Sequence, residues 1–300
     1  MKLWLVFAAL FITTICFGQI SMERQEEGIL ITEGNSNIFL YQIEPKSKEG
    51  LYSRNNYIHP LFGIDGYVLT EDFPADHLHH RGVFWAWHQI AIDGKRIGDG
   101  WELKDFIQEV SEIEFLINRQ KYGILKTEVL WKSPVLKNKS PYLKENTSIT
   151  VHPRQGKIRR IDFEIKLLAL VQGLSIGGSE DAKGYGGFSA RITLPDGIKF
   201  FGKKGIVQPE TNAVEAGPYM NINGALANNG KQAGIVILCH SENPGYPQQW
   251  ILREKESMQN VVFPGRDPVA ISTIKPMVLK YTMLVYKGKL KSKKISKFLN

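Results

Sequence analysis

The chain has 300 residues, 43% of them hydrophobic and 11% aromatic, and a formal net charge of +8. That is ample apolar material for a core and excludes a disordered or low-complexity polymer. Much of the positive charge sits at the end, in Lys287, Lys289, Lys291, Lys293, Lys294 and Lys297; the remainder is close to balanced and carries no nucleic-acid-binding motif, so nucleic acid is not an expected partner.

The first residues read as an export signal. Lys2 supplies a positive start, residues 3–15 form an apolar run, and Cys16-Phe17-Gly18 places small residues where a signal peptidase reads them. Cleavage is expected after Gly18. It leaves 282 residues (300 less 18) beginning at Gln19 and a charge of +7, because Lys2 is the only charge removed. The run is shorter than the roughly 20 apolar residues of a membrane span, and no later stretch approaches that length. A periplasmic or secreted protein without a membrane span is therefore expected. Cys239 would be its one cysteine, which precludes an internal disulfide. Its apolar run, residues 234–239, marks it as a buried, inert thiol.

Strand signals follow in chain order. Residues 19–44 read as an N-terminal strand pair added to the main body, with 38–43 (Ile-Phe-Leu-Tyr-Gln-Ile) short and β-prone. Residues 126–131 form a second strand. Ile161, Phe163, Ile165 and Leu167 alternate with Asp162, Glu164 and Lys166, the period of a half-buried strand. Residues 189–194 and a run containing Val278, Tyr281, Met283 and Val285 complete the clearest set. Turns punctuate them at Pro195-Asp196-Gly197, Asn228-Asn229-Gly230 and residues 264–268. No segment before the tail keeps a helical period. The expectation is an all-β chain, a large antiparallel β-sandwich formed as one domain over residues 19–300, with a basic tail from about Lys287 that is either a short helix or a solvated, fraying end.

Three segments carry candidate chemistry. Four of the seven histidines fall between positions 77 and 88. If residues 76–82 are extended, His77, His79 and Arg81 share one face and His80 turns away. Histidines at i and i+2 with an adjacent Asp76 suit either metal binding or proton transfer near neutral pH. No organic cofactor is called for, and a divalent metal fits the pattern. The second segment, residues 183–191, sets Tyr185 among glycines ahead of Arg191. The third runs from His240 to Trp250 and Arg253 through a proline-rich loop. Aromatic faces stack on sugars, and Arg or His reads hydroxyls and carboxylates. Arg54, His59 and Trp87 offer the same mixture.

Taken together these segments resemble one family. The likeness is carried by Tyr57-Ile58-His59-Pro60-Leu61, Asp65-Gly66, Leu69-Thr70, Asp72-Phe73-Pro74, Asp76-His77 and His79-His80-Arg81-Gly82. It continues in Gly184-Tyr185-Gly186-Gly187-Phe188, Asn243-Pro244 and Trp250. They are similar to the PmoA-like family of exported bacterial proteins, over most of residues 38–287. The methane-oxygenase label of that family does not suit a sequence without spanning helices. What the resemblance implies is a role in polysaccharide degradation, including dehydration of uronic acids at oligosaccharide ends, and a sandwich like that of galactose mutarotase.

The reaction so implied is β-elimination on an anionic oligosaccharide, with loss of the proton alpha to the carboxylate and of the 4-hydroxyl as water. It needs a cation, a base and an acid. The expected assignment is Arg81 as cation with Arg191 as helper, His79 or His80 as base, and Tyr185 as acid with His240 or His59 competing. Arg54, His59, His77, Trp87, Arg191, Trp250 and Arg253 would bind substrate. Rival expectations are a mutarotase- or epimerase-type enzyme, a glycoside hydrolase drawing two carboxylates from Asp76, Glu180 and Glu242, and a non-catalytic carbohydrate-binding protein.

Overall fold

The computed structural model of the chain describes residues 18–118, 122–227 and 230–299. All of the expected signal segment except Gly18, that is residues 1–17, and Asn228-Asn229 of one expected turn lie outside the described residues.

Among the described residues the fold is all-β, built on two large antiparallel sheets. One has eight strands in the order Ile20–Arg24, Gly28–Glu33, Ser36–Gln42, Tyr57–Leu61, Val83–Trp87, Gly186–Ala190, Gln259–Val261, Trp250–Ile251. The other has nine, in the order Ile107–Ile117, Gly123–Lys132, Leu143–Val151, Ile158–Ala169, Met277–Lys287, Ala233–Cys239, Tyr219–Gly224, Lys199–Gly202, Gly205–Val207. The first three strands are thus an integral edge of the eight-stranded sheet. Among the described residues no helix is long and apolar enough to cross a membrane.

Strand Ile158–Ala169 shows why the sheets pack face to face. Ile161, Phe163, Ile165 and Leu167 are buried, while Asp162, Glu164 and Lys166 stay half-exposed on the outer face. The inner face meets the eight-stranded sheet through aromatics. Phe163 contacts Trp85 and Phe188, with ring centres 6.3 and 5.0 Å apart, and Phe188 stacks on Tyr281 at 4.6 Å. Burial of this continuous core is the main stabilising contribution.

One carboxylate lies inside that core. Glu145 is fully buried. Its Oε1 accepts hydrogen bonds from Asn56 Nδ2, Trp85 Nε1 and Thr147 Oγ1, and its Oε2 accepts one from Trp131 Nε1 at 3.0 Å. Burial pushes its pKa up, and these donors work against that rise. Cys239 is a buried free thiol, as its apolar run implied.

The tail takes the helical one of its two expected forms and is docked on the sheet. Residues Ser292–Ile295 form a short helix that continues into Ser296–Phe298. Ile295 is buried with Ile158, Val236, Leu238, Leu284 and Tyr286, on the outer side of the nine-stranded sheet. The lysines stay exposed while the interleaved apolar residues anchor the segment.

Strand Val83–Trp87 places the candidate site. All five residues are buried. Val83, Trp85 and Trp87 face the inter-sheet core. Phe84 and Ala86 face outward, yet they are covered by a second cluster with Tyr57, Trp101 and Met258, against which Tyr185 packs. The outer face of the eight-stranded sheet therefore carries its own layer of side chains, and the histidines lie there.

Candidate functional site

The segment holding the histidine cluster is a pair of turns, not an extended strand. His77 N–H donates to Pro74 O at 3.1 Å and His80 N–H to His77 O at 2.9 Å. The chain then rejoins the sheet at Arg81 and Gly82. Gly82 has φ +35°, and a Cβ there would lie 1.9 Å from Ile58 O, so only glycine fits this return. The turns overturn the expected alternation. His80 does not point away: its ring lies offset and parallel to His77 at 4.5 Å, and edge-on to His79 at 4.5 Å.

Around these rings the layer is continuous. His80 meets the edge of Trp101 at 6.3 Å, His88 stacks on Trp101 at 5.2 Å, and Tyr185 packs against Trp101 at 5.4 Å. Trp101 is held by Asp99, whose Oδ1 accepts the backbone N–H groups of Trp101 and Glu102 at 2.9 and 2.8 Å. Asp99 Oδ2 lies 3.1 Å from His88 Nδ1 and accepts from Arg96 Nη2 at 2.7 Å. Glu102 in turn brings Oε1 to 3.6 Å from His79 Nε2. Arg253 lies over the Tyr185 ring at 5.7 Å and borders an open groove of about 810 Å³ shared with Lys183, Thr211 and Asn212.

Burial, reinforced by the neighbouring His77, Arg54 and His88, pulls His79 down to about 4. Burial, with His79 and His77, pulls His80 down to about 2. Both imidazoles are neutral at neutral pH and keep a basic nitrogen. Nδ1 of His80 is buried and has no hydrogen-bond partner.

Asp76, His77 and His80 bring one ligand atom each within 4.8 Å of one another, so these residues could hold a metal. Two features argue against a preformed centre. Both Asp76 oxygens are committed to Arg191 at 2.7 Å, and Oδ2 also accepts the Ser257 N–H at 2.9 Å and faces His77 Nδ1 at 2.7 Å. The stacked His77 and His80 rings, 5° from parallel, carry their in-plane lone pairs alongside each other, not toward a common point. As arranged, the donor set suits proton transfer better than coordination.

A family model described as a family of unknown function, DUF6807, matches residues 29–300. The chain belongs to the DUF6807 family. No curated protein matches it.

Within this DUF6807 chain the expected residues divide sharply. His77, His79, His80, Tyr185 and Arg253 share the outer layer of the eight-stranded sheet. The expected cation does not serve there. Arg81 is fully buried and donates to Asp72 Oδ1 at 2.8 Å, Tyr52 O at 2.9 Å, Tyr57 OH at 3.3 Å and Lys46 O. Its guanidinium lies 3.2 Å from the centre of the Phe73 ring. Both terminal nitrogens are spent on the fold, and Nε is buried without a partner. Arg191 is spent likewise, on Glu71 and both oxygens of Asp76. Arg54 is buried over Phe84, with Nη2 donating to Gly100 O at 2.6 Å, so it supports the Trp101 loop from beneath. His59 is half-buried with Nδ1 3.0 Å from Thr70 Oγ1.

Three expectations fail outright. Trp87 and Trp250 are core residues whose Nε1 groups donate to Phe263 O at 2.8 Å and Gly217 O at 3.1 Å; neither is free to stack on a sugar. His240 lines a separate pocket of about 380 Å³ with Asp162, Lys280 and Thr282, on the outer face of the nine-stranded sheet. The inter-sheet core stands between it and His79. The carboxylate pair of the hydrolase expectation is not assembled either: Asp76 is bound to Arg191, exposed Glu180 pairs with Arg96, and Glu242 pairs with Lys280 on the other face.

Sequence reasoning missed Trp101, Asp99 and Glu102, and took His88 only as part of the dense run. A signal was present: Gly98-Asp99-Gly100-Trp101-Glu102 is a glycine-framed turn carrying two acids and an aromatic, the composition of a loop built to present side chains.

Proposed function

We propose that the outer face of the eight-stranded sheet is the active site of an exported carbohydrate-active enzyme. The reaction is β-elimination of water from a uronic acid at the end of an anionic oligosaccharide. His79 takes the C5 proton, Tyr185 protonates the departing 4-hydroxyl, and the positive charge facing the carboxylate comes from Arg253, which lies over the Tyr185 ring while donating to the backbone carbonyls of Glu210, Thr211 and Leu252. The C5–H and C4–O bonds break, a 4,5 double bond forms, and water leaves, so no oxidant or co-reactant is required. The cation is essential, because removing the proton adds negative charge beside an existing carboxylate.

The observation that carries this reading is one layer of rings from segments far apart in sequence, in which His79 packs edge-on to His80, His80 meets Trp101, and Trp101 packs against Tyr185. A base and an acid on one side-chain layer of a sheet are the two proton-transfer groups an elimination needs. The likeness of the His79-His80-Arg81-Gly82 and Gly184-Tyr185-Gly186-Gly187-Phe188 motifs to exported dehydratases supports the same reaction. Mass spectrometry of a uronate-ended oligosaccharide incubated with the protein tests it. Loss of one water without chain cleavage is expected. Release of a free terminal sugar would replace elimination by hydrolysis.

A further inference from the structure

The docked tail builds a second surface that the proposed reaction does not use. A groove of about 710 Å³ runs between the tail and the turn at residues 155–157. Lys157, Lys289, Lys291, Lys293, Lys294 and Lys297 line it, all exposed. Lys287, at its edge, is paired with Asp65 at 3.0 Å. The other six make no ion pair among the described residues, and no Asp or Glu lines the groove. Across Lys289 and Lys291 it continues into a second depression of about 520 Å³ that adds Lys199 and again no acid. Like charges held together without counter-charges repel, and they remain together because Ile295 and Leu290 anchor the tail. Folding alone gives no reason to gather them.

We propose that this groove docks a strand of anionic polysaccharide, holding a long polymer while its end is processed on the opposite face. The shape selects among polyanions. A lipid surface is flat and would be met by a convex face with apolar residues pointing outward, whereas here the lysines line two adjoining depressions that share Lys289 and Lys291, and the apolar residues of the tail pack into the protein. That the polyanion is a glycan rests on the carbohydrate reading above; the need for a polyanion rests on the unpaired lysines.

The test uses the mature full-length protein and a quadruple variant, Lys289→Glu with Lys291→Glu, Lys293→Glu and Lys294→Glu. Lys157→Glu, on the opposite wall and outside the tail, serves as a second variant should the first fail to fold. Binding is measured to a soluble polyuronate, to neutral dextran and to phosphatidylglycerol vesicles, with turnover on a short uronate-ended oligosaccharide in parallel. The expected result is polyuronate binding that weakens with added salt, is at least about tenfold weaker in the quadruple variant, and is absent for dextran, while short-substrate turnover is unchanged. Polyuronate binding as tight in both variants as in the parent, or binding to vesicles alone, overturns the proposal. Polyuronate binding that depends on the lysines, with no turnover of any uronate, would sink the elimination reading and leave the groove standing.

Discussion

Two buried polar clusters in this protein differ in how their polar atoms are paired and in what they adjoin. Glu145, between the sheets, has both oxygens paired with four donors from four residues. His80, on the outer face of the eight-stranded sheet, is almost as deeply buried but leaves Nδ1 without a partner. A buried polar group costs stability unless it is hydrogen-bonded. Glu145 meets that requirement from within the fold and knits both sheets together. The histidine layer does not meet it, and it adjoins side chains that reach solvent, His77 and Glu102 among them. The first cluster is explained by folding; the second pairs an open nitrogen with neighbours that reach solvent.

Substitutions break or sharpen that contrast. The largest effect is expected at Glu145. Glu145→Ala leaves Trp85, Trp131 and Asn56 with buried, unpaired N–H donors, each worth roughly 1–3 kcal/mol, so a loss of about 4 kcal/mol or more in denaturant unfolding is expected. His79→Ala should show the opposite profile. Turnover should fall about 10²–10⁴-fold, as for loss of a general base, while the unfolding midpoint moves little. If His79→Ala instead unfolds like Glu145→Ala, the two clusters are the same kind of object and the contrast collapses.

Arg81→Lys is a sharper case, because sequence and structure assign it different causes. As a substrate-binding arginine it would lose turnover. As the buried group seen here it should lose about 3 kcal/mol of stability, since lysine cannot reach Asp72, Tyr52 O and Lys46 O together. Chemical denaturation and turnover measured on the same preparation separate the two.

A smaller effect is expected from pH. Burial alone would raise the pKa of Asp76, but Arg191, the Ser257 N–H and His77 outweigh it and hold the carboxyl below its ordinary range. A carboxylate depressed in the folded state contributes stability in full above its unfolded pKa, about 3.9, and loses it as pH falls toward the folded value. Asp76→Asn should therefore be less stable than the parent at neutral pH and show a flatter loss below about pH 4. Parallel acid curves for the two proteins would show that Asp76 does not anchor the turns.

Much of the sandwich was legible in the sequence, and the reason is specific. Strand Ile158–Ala169 has one buried and one outward face, so apolar and charged residues alternate and the period can be read. The candidate site was legible only in composition. Strand Val83–Trp87 is buried on both faces, so its sequence has no period, and nothing in it tells that Trp87 points to the core while Phe84 points toward the histidines. The turns at residues 74–80 defeat an alternation argument, because parity holds only for extended chain. His240 keeps the outward parity of Leu238, but parity within a strand cannot say to which sheet that strand belongs. Arg81 was misread because a lone arginine in a polar cluster looks the same whether its partners are a substrate carboxylate or Asp72 and two backbone carbonyls.

The central claim is that His79 and the outer face of the eight-stranded sheet perform an elimination in which the opposite face takes no part. The direct measurement is ultraviolet absorbance of the conjugated 4,5-unsaturated uronate, followed as uronate-ended oligosaccharide is mixed with the parent protein, His79→Ala and His240→Ala. The account predicts a steady rise with the parent, a rise of the same rate with His240→Ala, and a rate lower by about 10²–10⁴-fold with His79→Ala. No rise with the parent, or a loss with His240→Ala equal to that with His79→Ala, would contradict it.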